Sequence, residues 1–249
     1  APEQGPDFDP NAYLPAVTGY YTDRDGQMLS LPFNSSTPVT YVNKDALAEA
    51  GVDSVPTTWQ EMGDALEKIV DSGAAECGLT TTWPSWVMLE NFSARNDIPF
   101  ASDANGFGGV DARLEFNQTA VVDHIRRLDD WQADNRFVYG GRYDDAAPKF
   151  YSGECAMLMA SSASYAGVKE SAKDFEFGVA PLPFDADVID TPQNSIIGGA
   201  SLWVLSGHDD DEYRGVAKFF QYLSSPEVQA DWHQFTGYLP ITTAAAELT

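Results

Sequence analysis

Three short stretches of this 249-residue sequence could hold an anion without a cationic side chain. Asn34-Ser35-Ser36-Thr37, Ser161-Ser162-Ala163-Ser164 and Gly198-Gly199-Ala200-Ser201 are built of small hydroxyl and amide residues, the last two with alanine or glycine among them. Each stands where a strand or loop meets the next element, and there hydroxyl and backbone N–H donors can converge on an oxyanion. The same composition also serves as ordinary turn and cap chemistry. Two indoles, Trp83 and Trp86, are spaced to fall on one helical turn, and Tyr238 follows Gly237 in a loop. Such rings stack on the C–H faces of polyols and sugars while their N–H or O–H reaches a polar partner. Trp pairs at this spacing are usually core. Here Thr80-Thr81-Thr82 before them and Pro84-Ser85 between them read instead as a loop entering a helix at a rim.

The sequence offers little other chemistry. It has no nucleophile elbow, no phosphate-binding P-loop and no zinc helix of the H-E-x-x-H type, so no catalytic residue, metal or cofactor is assigned. His124, His208 and His233 lie in unrelated contexts and read as surface or satisfied helix residues. Gly106-Phe107-Gly108-Gly109 neither follows a clear strand nor opens a helix, which argues against a dinucleotide site. Asp103-Ala104-Asn105-Gly106 lacks the closing Glu of a calcium loop and reads as a turn. Carboxylates are so plentiful that pairing any two as a glycosidase dyad would be arbitrary.

Charge removes whole classes of partner. Lys and Arg total 14 against 38 Asp and Glu, a formal charge of −24, and nucleic acid or an anionic bilayer surface needs the opposite sign. An apolar fraction of 43% is too high for a disordered acidic tail, so the chain folds around a core. No apolar run approaches the roughly 18 residues needed to span a bilayer. Cys77 and Cys155 allow one disulfide and cannot supply the four ligands of a structural zinc site; two buried thiols are the other reading.

The elements that would position these residues can be placed by pattern. The chain up to about Pro15 reads as loop, and an Asp25-Gly26 turn between aromatic runs suggests a hairpin. A strand is predicted at 39–42, and Asn43 is placed to cap a helix over 44–50. Thr58-Trp59-Gln60-Glu61 has capping-box spacing for a helix running to Gly73. Further strands are predicted at 77–81, 155–159, 175–179 and 200–205. Helices are expected to carry Trp86, Leu89 and Phe92, then Val121, Ile125 and Leu128 on one face, then to follow Ser161, and to close the sequence at 211–223 and 226–235. This alternation indicates α/β architecture with largely parallel sheets. Joints at Phe33 to Pro38 and Ala180 to Pro183 divide the chain into 1–38, 39–181 and 182–249, the outer two belonging to one lobe and the middle one forming the other.

The run Leu31 to Asp45, with Tyr41-Val42-Asn43-Lys44-Asp45 at its end, and the Thr58-Trp59-Gln60-Glu61 helix start resemble the extracellular solute-binding proteins of ABC importers, in the maltose-binding superfamily. Trp86 to Ala94, Pro192 to Val204 and Trp232 to Ile241 are similar, in the same order, to the branch of that family that takes sn-glycerol-3-phosphate. The resemblance runs from about Tyr13 to the end of the sequence.

It implies a two-lobed type II binding-protein fold, exported to the periplasm, that closes on glycerol-3-phosphate or a glycerophosphodiester such as glycerophosphocholine and delivers it to transmembrane permease subunits. Carried over by position, ligand contacts fall on Ser36, Ser161, Gly199 and Tyr238, with Trp83 and Trp86 on the cleft wall. A monomer without nucleic-acid or cofactor partners is expected. The family chains extend beyond both ends of this one, so the resemblance also implies an internal fragment, one lobe whole and the other partial, that binds weakly or not at all by itself. An exported setting favours a Cys77–Cys155 disulfide. An oligosaccharide-binding protein of the same fold is the alternative, and a glycerophosphodiester hydrolase would need a metal-carboxylate cluster or paired His that the sequence does not display. The Asp-rich, Lys-poor balance fits a salt-rich habitat in which the surface field is short-ranged.

Overall fold

The structure is a computed structural model that describes residues 12–23 and 25–249. In chain order its elements are α1 (Pro15–Tyr20), β1 (Leu31–Ser36), β2 (Pro38–Asn43), α2 (Lys44–Glu49), α3 (Trp59–Ser72), β3 (Cys77–Thr81), a π-helical segment (Ser85–Glu90), α4 (Asn91–Arg95) and α5 (Ser102–Asn105). Then come α6 (Thr119–Gln132), β4 (Phe137–Tyr139), α7 (Ala147–Tyr151), β5 (Cys155–Ser161), a 3-10 turn (Ser162–Ser164), α8 (Tyr165–Ser171) and β6 (Phe177–Ala180). The series ends with β7 (Gly198–Leu202), α9 (Asp210–Leu223), α10 (Pro226–Thr236) and α11 (Thr243–Ala246).

The described residues divide into two compact units: those in 12–37, 162–166 and 197–249 make the first, and 38–161 with 167–196 make the second. The sequence-based division starts the return at 182, whereas residues 182–196 pack with the second unit. Leu182 is buried in that unit's core. Arg95 donates to the carbonyls of Leu182 and Gln193, Asn91 accepts from the amide of Ile196, and Asn96 accepts from that of Asp185. These are bonds from side chains to distant backbone, which no local pattern announces.

The second unit is built on a five-stranded sheet of order β4-β3-β5-β2-β6. β3 runs parallel to β4 and to β5, while β2 is antiparallel to β5 and β6. The sheet is therefore mixed, not largely parallel: the β1–β2 passage delivers β2 into the sheet against the direction of its neighbours. β5 lies at the centre, and Cys155-Ala156-Met157-Leu158-Met159-Ala160 is a continuous buried run, as a strand covered on both faces must be. Cys77 and Cys155, opposite each other in the parallel register, are joined by a disulfide.

The helix starts follow the expected caps. Asn43 Oδ1 accepts from Ala46 N at 3.0 Å, and Thr58 and Glu61 close a full capping box at α3, which ends on left-handed Gly73. α3 turns Trp59, Met62, Leu66 and Ile69 onto the sheet. α6 packs through Val121, His124, Leu128 and Trp131; Ile125, expected on that face, is exposed and fully buried His124 takes its place. The first unit has a smaller described core of Tyr13, Val17, Leu31 and Ile241. Its β1 and β7 pair antiparallel, and α9 buries none of its residues, leaving Phe219 and Tyr222 exposed. Trp203 and Leu205, expected inside the last strand, lie beyond its end and are exposed. The expected hairpin is present in short form: Thr22 bridges Met28, Leu29 N donates to Tyr21 O at 3.0 Å and Asp23 N to Gln27 O at 2.9 Å; the helix α1 before it was not expected. The loop read at residues 1–11 lies outside the described residues. Among the described residues no helix is long and apolar enough to cross a membrane.

Candidate functional site

In the first unit, backbone pairing gathers the expected donors. Ser36 and Ser35 at the end of β1 stand opposite Gly198 and Gly199 of β7. Gly199 has φ +118°, and a Cβ there would overlap the Asn34 carbonyl, so the close approach of the two strands requires glycine. Leu239 N donates to Ser35 O at 2.6 Å, which places the adjacent Tyr238 beside the same strand end. Tyr238 is itself held by its backbone: its N–H donates to Thr236 Oγ1 at 3.1 Å, and its carbonyl accepts from His233 Nδ1 at 2.7 Å. Gly237, the left-handed cap of α10, packs so closely on the Ser162 carbonyl and Tyr165 that a Cβ would clash with both. Ser162 in turn exchanges backbone and side-chain hydrogen bonds with Thr37. Ser36, the 162–164 turn, Gly199 and Tyr238 thus form one neighbourhood of small donors and a phenol. The hydroxyl of Ser35 is buried there with no partner among the described residues.

In the second unit, the parallel register brings three strand ends to one edge, since Thr81 pairs with both Tyr139 and Met159. Ser161, the last residue of β5, lies at that edge, and its carbonyl accepts from the Tyr41 hydroxyl at 3.0 Å. Beyond β3 comes Trp83, and beyond β4 the loop 140–145. The carboxyl ends of parallel strands are where α/β sheets leave room for ligands, because the connecting loops there diverge.

Trp83 and Trp86 do not share a helical turn. Trp83 precedes the π-helical segment with φ +47°, a left-handed conformation that costs a bulky residue energy, and the residue is 41% exposed. Trp86 lies within that segment and packs on the core of the unit. Trp83 is held open by its neighbours: its N–H donates to Tyr143 O at 3.0 Å, its Nε1 to Asp144 Oδ1 at 2.9 Å, and its ring meets Tyr143 edge-on at 4.8 Å. Sequence reasoning missed Tyr143 and Asp144. The signal was there in Gly140-Gly141: a Cβ on the first would press on Ala146, and the second has φ +134°, so both glycines are needed to fold the loop back on Asp145 and Ala146.

The profile of the bacterial extracellular solute-binding proteins matches residues 2–249. The chain belongs to that family. It is 53% identical over 250 residues to the sn-glycerol-3-phosphate-binding periplasmic protein UgpB of Escherichia coli strain K12, and equally to that of Salmonella typhimurium, covering 99% of this chain and 57% of each relative. Among solved structures, UgpB from Mycobacterium tuberculosis in complex with glycerophosphocholine superimposes with a TM-score of 0.77 at 24% identity, over 96% of this chain and 60% of that one. Maltose-bound MalE3 of T. maritima gives 0.77 at 20% identity, over 94% and 59%. At those identities the structures establish the type II binding-protein fold, and the solute-binding family membership rests on the sequence match.

Proposed function

We propose that this solute-binding protein captures sn-glycerol-3-phosphate or a glycerophosphodiester such as glycerophosphocholine in the periplasm and hands it to the permease subunits of an ABC importer. The reading is one of binding and transport, with no catalytic step. The observation that carries it is the 53% identity across 99% of the chain to relatives named for sn-glycerol-3-phosphate. We assign Ser36, Gly199 and Tyr238 of the first unit, and Ser161, Trp83 and Trp86 of the second, as ligand contacts. Neutral hydroxyl, phenol and backbone donors suit a phosphate in a strongly acidic protein, since hydrogen bonds to an ionised acceptor are about twice as strong as neutral ones. An oligosaccharide reading draws on the aromatic rings, which suit sugars as well, and on fold-level likeness to a maltose binder at 20% identity.

A thermal-shift screen decides between them. It is run on the 249-residue chain and on the chain extended to the full length of its relatives, with glycerol-3-phosphate, glycerophosphocholine, maltose and inorganic phosphate. The expected result is stabilisation of the extended protein by one or both glycerol phosphates, with little or no shift for the 249-residue chain. Stabilisation of the extended protein by maltose and by neither glycerol phosphate overturns the proposal.

A further inference from the structure

We propose that Trp232 and His233, consecutive residues in the last turn of α10, are positioning residues for ligand binding: they hold Ser36 and Tyr238 at a fixed spacing before a ligand arrives. The proposal rests on the function proposed above and deepens it, since neither side chain is among the assigned contacts and both act through residues that are.

Both peptide groups flanking Tyr238 are pinned. Its N–H donates to Thr236 Oγ1 at 3.1 Å, its carbonyl accepts from His233 Nδ1 at 2.7 Å, and the next N–H, of Leu239, donates to Ser35 O at 2.6 Å. The phenol hydroxyl of this half-buried residue, by contrast, makes no hydrogen bond to any described residue. A rigid backbone thus carries a free donor. The His233 bond is not needed to end the helix, because Gly237 N already donates to His233 O at 2.8 Å and its left-handed conformation closes α10. A carbonyl can only accept, so Nδ1 carries the hydrogen and the imidazole is committed to Tyr238. Trp232 works on the other side of the same turn. Its Nε1 donates to Asn34 Oδ1 at 2.9 Å and its ring lies on Phe33 with centroids 5.4 Å apart, so it grips β1 just before Ser35 and Ser36. Thr236 Oγ1 donates to Trp232 O at 2.6 Å while it accepts from Tyr238, which ties the two grips together. Packing of the helix does not account for these bonds: the buried residues of α10 are Gln229 and Ala230, and Trp232 and His233 are only half-buried. One helical turn therefore holds both the strand that carries Ser36 and the loop that carries Tyr238. Donors fixed in place beforehand remove an ordering cost from binding.

The test is calorimetric titration of the full-length protein carrying this sequence, with glycerol-3-phosphate and with glycerophosphocholine. His233→Leu removes the donor, and His233→Asn restores one where Nδ1 stood, since the Asn amide nitrogen can take that position. Tyr238→Phe removes the phenol hydroxyl. His233→Leu is expected to weaken the tighter ligand about three- to tenfold, the loss of one oriented hydrogen bond. His233→Asn should return to within about twofold of the parent, and His233→Leu should cost less than about twofold when added to Tyr238→Phe, because the residue it positions has then lost its contact. A role in folding alone gives the same loss in both backgrounds and no recovery with Asn. Parent-like affinity in His233→Leu, no recovery with Asn, or an equal loss in the Tyr238→Phe background overturns the proposal. Should His233→Leu fail to fold, Trp232→Phe repeats the comparison, since it keeps a ring on Phe33 and loses the indole N–H: a loss that shrinks in the Tyr238→Phe background supports the proposal, and an equal loss or none overturns it. If Tyr238→Phe itself binds like the parent, the proposal falls and the transport reading stands. If the parent binds neither ligand, the transport reading falls, and the proposal with it.

Discussion

His124 is the residue whose environment departs furthest from its usual one. Its ring is fully buried, stacked on Phe92 at 3.9 Å and met edge-on by Trp59 at 4.4 Å. Arg127 Nη1 lies 3.5 Å from Nδ1, and since a guanidinium can only donate, Nδ1 is the acceptor and the proton sits on Nε2, which has no partner among the described residues. Burial first, and the Arg127 charge second, lower its pKa from 6.5 to about 3, against a weaker opposing pull from Asp185. Asp185 itself is pushed up by burial but held below the ordinary carboxylate range by bonds from Arg127 and Gln60. The sign follows from proton uptake. Between pH 6.5 and 3 the unfolded chain holds a proton on His124 that the folded chain does not, so stability falls as pH drops through that window. The slope from this one group approaches about 1.4 kcal/mol per pH unit. Urea unfolding at pH 7, 6 and 5 measures it, and His124→Phe is expected to flatten the drop between pH 6 and 5, above the range where ordinary carboxylates titrate. An equal drop in the variant would place the sensitivity elsewhere.

At the scale of elements, the Cys77–Cys155 bond ties the first residues of β3 and β5, two neighbouring parallel strands that are 78 residues apart in sequence. Parallel strands close only after a long crossover, and a covalent link across that loop removes much of the freedom of the unfolded chain, typically about 2–4 kcal/mol. Cys77→Ala/Cys155→Ala is expected to lower unfolding free energy in urea by about that amount, and denatured, unreduced protein should titrate no free thiol. Two thiols per chain would contradict the bridge. The element pattern was largely legible in sequence because its signals are local. Asn43, Thr58 with Glu61, and Gly73 mark their helix ends by caps alone, and the apolar run at 155–160 reads as a buried strand. What was not legible depends on groups far apart in the chain. Strand direction in the sheet depends on which neighbours β2 meets. The strap 182–196 is held by Gln60, Asn91, Asn96 and Arg95, from 87 to 127 positions away. β4 is three residues long, too short to show a period, and the loop after it carries Tyr143 and Asp144 onto Trp83, a neighbour that only the parallel register reveals.

For the whole molecule, the governing fact is the charge of −24, and it sets a problem for a protein proposed to bind a phosphate. Local donors would resolve it at the proposed site, since hydroxyls and backbone N–H groups act over bond length while the net field acts over a Debye length. The fold as a whole has no such remedy. Among the described residues its ion pairs are few and mostly exposed, so solvent and salt screen them; Arg127–Asp185 is the most buried of them. Against these stands mutual repulsion among 38 carboxylates, which favours the expanded chain. Screening weakens both, but the repulsion is the larger sum and the longer in range. Raising ionic strength shortens the Debye length from about 30 Å at 0.01 M to about 3 Å at 1 M, so added salt is expected to stabilise the protein. Thermal unfolding in 0.01, 0.1 and 1 M NaCl should give rising midpoints, with most of the gain below 0.3 M where screening changes fastest. A parallel series with sucrose in place of salt separates this from general exclusion of cosolute from the surface. Midpoints that stay flat or fall with NaCl would show that the acidic surface is already neutralised by its own geometry, and that the charge bears on solubility and partner choice alone.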